Sequence, residues 1–157
     1  MQITLDLKKL YEKDEHLWLF ENARLIREGH MESVDFEHIA ETLEEMGKRD
    51  LREIISRMRV LHSHLLKWIY QKDRRGNSWN HTITEQRIQI KEEFEDSKTL
   101  ENHVRDNFNK AYSKARDLAS RETGLPLATF PEEPPFSFEE ALDEGFLPGK
   151  VYIAGVS

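Results

Sequence analysis

The chain contains no cysteine, which excludes a disulfide framework, a thiol nucleophile and a thiolate metal site. It has no apolar run near the roughly 18 residues of a membrane span. The opening stretch Met1-Gln2-Ile3-Thr4-Leu5-Asp6-Leu7-Lys8-Lys9 mixes acid and base within its first apolar residues. A cytoplasmic protein with no membrane partner is the expectation. A Gly-rich phosphate loop, a Gly-x-Ser-x-Gly elbow and a His-Glu-x-x-His pair are all missing. The carboxylates Glu41, Glu44 and Glu45 lack the Glu-x-x-His partners of helical di-iron sites. No metal or cofactor is expected, and a binding protein is favoured over an enzyme.

With 157 residues the chain is long enough for one domain, expected over 1–148, to bury a single core without metal or disulfide support. Hydrophobic residues at 38% against 34% charged residues suit amphipathic helices with charged outer faces. A net charge of −7 argues against a surface that coats nucleic acid indiscriminately. The charge is segregated, however. From Lys48 to Arg75 nine Lys or Arg face three acids, whereas Leu125 to Gly149 carries six acids and no base. Either the acidic C-terminal arm packs near the basic middle of its own chain, or the basic stretch meets an external anion.

Apolar spacing predicts an all-helical bundle. A first helix is expected over about 5–28, stopped by Gly29, and Asp35 reads as the N-cap of the next. From Phe36 through Ala40, Leu43, Gly47, Ile54, Met58, Leu61, Leu65 and Trp68 the apolar phase is kept, so one long central helix over about 36–70 follows. Gly47 would cost about 1 kcal/mol relative to alanine there, so a bend or a close helix contact is expected at that point. Further helices are expected over 79–95, with Ser78 as cap, and over 98–123, ending at Gly124. Pro126, Pro131, Pro134 and Pro135 forbid continued helix. Ser137 with Glu140 forms a capping-box pattern for a short helix near 138–144. Leu127, Phe130, Phe136, Phe138 and Phe146 make the Pro-rich segment an ordered arm rather than a linker, and 149–157 a tail.

Ordered motifs run through these elements: Tyr11-Glu12-Lys13-Asp14 with Leu17-Trp18-Leu19, Glu44-Glu45-Met46-Gly47, His64-Leu65-Leu66-Lys67-Trp68, and Ser78-Trp79 with Glu85-Gln86-Arg87. Arg121-Glu122-Thr123-Gly124-Leu125-Pro126, Phe130-Pro131-Glu132 and Phe146-Leu147-Pro148 complete the set. Together they resemble the bacterial family called domain of unknown function 29, with only the last nine residues or so outside its pattern. The resemblance implies a compact all-helical domain and transfers no activity, cofactor or site residue. Where relatives often carry Gln-Pro after the tryptophan motif, this chain has Gln71-Lys72.

On a helical wheel at about 100° per residue, Arg57, His64, Asp50 and Glu53 fall on one border of the apolar arc, with His62 on the opposite border. Such a seam fits a phosphate held by Arg57 with His64 as acid or base. It fits equally a Glu53–Arg57 border ion pair with a structurally satisfied histidine, the plainer and preferred account. An arginine followed by a histidine on one helix face also resembles the HEPN ribonucleases, which implies a metal-independent, toxin-type alternative. The leading expectation is an interaction domain that meets a protein, an RNA or a second copy of itself. Its candidate surface comprises Arg49, Arg52, Lys67, Arg74, Arg75, Trp79 and Arg87. Trp68 and Trp79 are expected to seal the junction between the long helix and the next, with Lys67 bordering solvent.

Overall fold

The computed structural model describes residues 6–148. Among them are seven α-helices and no strand: α1 (Leu7–Lys13), α2 (Glu15–Glu28), α3 (Phe36–Tyr70), α4 (Asn77–Asp96), α5 (Lys98–Asp106), α6 (Phe108–Thr123) and α7 (Phe138–Leu142). The tail 149–157 lies outside the described residues.

Capping chemistry accounts for most boundaries. The expected first helix is two, because Asp14 leaves helical geometry and accepts the Leu17 amide at 3.1 Å, starting α2 afresh. Gly29 and Gly124 close α2 and α6 with φ of 80° and 74°, a left-handed conformation that a Cβ would oppose. The expected 98–123 helix is broken at Asn107, whose side-chain amide donates to the His103 carbonyl at 2.8 Å. Helix α4 starts at Asn77 behind Gly76, so Ser78 lies inside it and is not its cap. Ser137 and Glu140 form the expected capping box, and α7 ends at Leu142, short of 144.

The chain forms two compact units, one up to Arg49 and one from Asp50, with α3 running unbroken from the first into the second. Gly47 interrupts nothing, and among the described residues a methyl group added there would touch no atom within 4 Å, so the close contact expected at this glycine does not appear among them.

In the first unit the start of α3 is held by a buried polar cluster. Asp35 accepts from the Trp18 indole at 3.1 Å and from His38 Nδ1 at 2.7 Å, while its own amide donates to Asn22 at 2.9 Å. Tyr11 stacks on the His38 ring at 4.2 Å. Burial opposes ionisation of Asp35, but the hydrogen bonds from His38 and Trp18 outweigh it and hold the carboxyl below its ordinary range. Asp35 in turn holds His38 above the usual imidazole value. Phe36 and Leu43, read from their spacing as core, are 54% and 63% exposed.

In the second unit the arc from Ile54 through Met58, Leu61 and Leu65 is fully buried against Ile83 and Ile90 of α4, Val104 of α5 and Tyr112 of α6. The Pro-rich segment closes this core with Phe130 and Phe136. Tyr112 donates its hydroxyl to the Pro131 carbonyl at 2.6 Å, and Arg116 donates to that of Phe130 at 2.9 Å. Burial pushes the Tyr112 phenol up to about 12.

Candidate functional site

The polar seam of α3 resolves into two separate attachments. Arg57 reaches Glu53 of its own helix and Gln86 of α4, both at 3.5 Å. His64 instead donates from Nδ1 to the Val60 carbonyl one turn back, at 3.0 Å. The other ring nitrogen is then the basic one, and burial holds the imidazole below its ordinary pKa with Lys67 adding to the effect. The histidine is therefore neutral near pH 7. Glu122 of α6 lies near enough to offset part of that depression. The two side chains thus face different neighbours, Arg57 towards α4 and His64 towards α6.

The residues expected to form a basic, aromatic-flanked surface are dispersed. Lys67 does not border solvent: it is buried and paired with Glu122 of α6. Arg87 is 1% exposed and donates to the Ala141 carbonyl at 2.8 Å and the Phe146 carbonyl at 2.7 Å. It anchors the arm and is closed to any partner. Arg75 folds back on Trp68, with its guanidinium 5.2 Å from the ring centre and its Nε donating to the Trp68 carbonyl. Trp68 packs on the core, and Trp79 is half-buried. Arg49, Arg52 and Arg74 are exposed, and Arg52 is already engaged by other groups. The acidic arm does meet cations, but those of α4 and α5, with Lys91 at 4.0 Å from Glu144 and Arg105 at 2.9 Å from Glu139.

A different set of residues converges. Ser56, Arg59 and Val60 of α3 face Lys114, Asp117, Leu118 and Arg121 of α6 across a cleft of about 430 Å³. Each helix contributes side chains three and four residues apart, the spacing that lines up one face. Three cations and one carboxylate border this space, and among the described residues none of the four takes part in an ion pair or hydrogen bond. Elsewhere in this unit Arg57, Lys67, Arg87, Arg105 and Arg116 are all engaged by carboxylates, amides or carbonyls. Three unneutralised cations around one concavity repel one another, and an anion there would relieve that repulsion.

Sequence reasoning missed this site. Lys114, Asp117, Leu118 and Arg121 are visible as a stripe on α6, and Ser56, Arg59 and Val60 as one on α3. What sequence does not contain is that those two stripes face each other. No group of three or more His, Asp or Glu side chains able to hold a metal occurs among the described residues.

The family model described as "Domain of unknown function DUF29" matches residues 10–147. The chain belongs to the DUF29 family. No curated protein and no solved structure matches it. The span matched to DUF29 takes in every residue of the cleft, together with His64, Lys67 and Arg87. DUF29 carries no activity in its description, so the functional reading rests on the geometry of the cleft.

Proposed function

We propose that this domain is a cytoplasmic interaction module that binds an anionic group of a macromolecular partner in the cleft between α3 and α6. The supporting observation is the convergence of Arg59, Lys114 and Arg121, none of them in an ion pair among the described residues, on one concave surface of an acidic protein. In a chain of net charge −7 such a cluster is a local exception, and it would steer an anionic partner to one face. A cytoplasmic setting belongs to the proposal because a chain without cysteine needs no oxidising compartment to fold.

Polyglutamate and heparin serve as probes, titrated calorimetrically at low ionic strength. Wild-type protein is expected to bind at least one of them, with affinity falling as salt rises. The triple variant Arg59→Gln, Lys114→Gln, Arg121→Gln should lose at least about tenfold, a difference of 1.4 kcal/mol. Neutralising Arg49, Lys72 and Arg74 changes the net charge equally and should leave affinity within about twofold. If the two triple variants bind alike, the cleft is not the site.

A further inference from the structure

The lining of the cleft also selects among anions. Resting on the anion-binding reading above, we infer that its occupant is an acidic peptide segment of a partner protein that inserts one leucine-like side chain.

Three features of the lining carry this. Val60 and Leu118 add apolar side chains to the same lining as the cations, and Leu118 remains 37% exposed. A peptide can fill that surface with an aliphatic side chain while its carboxylates meet Arg59, Lys114 and Arg121; a bare polyanion leaves it wet. Asp117 stands among the cations with no partner among the described residues. A peptide can bring backbone N–H donors to that carboxylate while its own carboxylates lie at the cations, whereas phosphate groups carry no donor of their own. Finally, among the described residues no aromatic side chain lines the cleft. Single-stranded nucleic acid draws much of its affinity from stacking on such rings. The volume, about 430 Å³, lies in the lower part of the roughly 300–1,000 Å³ range of ligand sites and fits a short anchor rather than a long helix.

The test compares three fluorescein-labelled probes on the full chain by anisotropy at low salt. They are an acidic decapeptide with one central leucine, the same peptide with alanine at that position, and a ten-nucleotide oligouridylate. The leucine peptide should bind about tenfold more tightly than the alanine peptide. Leu118→Gln, a change at an exposed position, should remove most of that difference. Equal binding of the two peptides, or tightest binding by the oligouridylate, would overturn the peptide assignment and leave the anion site standing. If none of the three probes binds and polyglutamate and heparin also fail, the anion site itself is lost.

Discussion

Among single residues, His62 departs furthest from ordinary chemistry. Its ring is fully buried between Phe108 at 4.6 Å, Phe136 at 5.5 Å and Tyr112 at 5.6 Å; among the described residues neither nitrogen makes a hydrogen bond of good geometry, and the nearby Phe108 backbone offsets the effect of burial only in part. Burial drives its pKa from 6.5 to about 3, so it is neutral in the fold and protonated only in the unfolded chain over that range. The unfolded state then binds more protons, and stability falls as pH drops from 6.5 towards 3. Between pH 7 and pH 5 this one group removes about 2 kcal/mol. His62→Leu should raise stability at pH 7 by about 1 kcal/mol, since two orphaned polar atoms are replaced by apolar ones, and should flatten the acid limb by that 2 kcal/mol. Urea denaturation at both pH values measures it. An unchanged slope in the variant would place the acid sensitivity elsewhere. The wheel put His62 at the edge of the apolar arc, which signals half-burial; the aromatic enclosure comes from α6 and the arm and has no trace in the local pattern.

Among the elements, α3 shows what periodicity does and does not encode. Its length and continuity from Phe36 to Tyr70 follow from the unbroken apolar phase. Its burial does not, because phase says which residues share a face and nothing about whether a neighbour covers that face. From Ile54 onward the neighbours are present; from Ala40 to Asp50 every residue except Thr42 is exposed. The same limit explains Lys67, whose polar side of the wheel is covered by α6. Backbone hydrogen bonds in the bare stretch have little packing to hold them, so Glu41–Asp50 should exchange amide hydrogens much faster than Ile54–Tyr70. Gly47 weakens the stretch further, and among the described residues a Cβ added there meets nothing within 4 Å. Gly47→Ala should therefore stabilise it by up to about 1 kcal/mol, slowing local exchange about fivefold without altering the spacing of neighbouring elements. Hydrogen exchange read by mass spectrometry separates the two segments. Equal protection of both would mean that the bare stretch is covered in solution.

At the scale of the molecule, charge segregation was legible and its consequence was not. The acidic arm finds its cations on α4 and α5, and the decisive contact involves no carboxylate at all. Arg87 supplies the guanidinium that meets the carbonyls of Ala141 and Phe146, 54 and 59 residues along the chain. Asp143 and Glu144 stand near enough to favour its charge against the burial that opposes it. A planar fork presents donors on separate nitrogens, here Nε to Ala141 and a terminal nitrogen to Phe146, whereas an ammonium carries its three donors on one atom and cannot span the same two carbonyls from the same place. This explains why a cation on a family motif proved to be internal: its partners are backbone atoms, which sequence cannot mark. Arg87→Lys should accordingly behave as a loss, destabilising the protein by about 2–4 kcal/mol, with Arg87→Met costing no more because it leaves no buried charge behind. Polyanion binding, which we propose for the cleft between α3 and α6, should survive in whatever fraction stays folded. Thermal melts compared with probe titrations decide the matter: a lysine variant as stable as wild type would show that the arm does not depend on the Arg87 guanidinium.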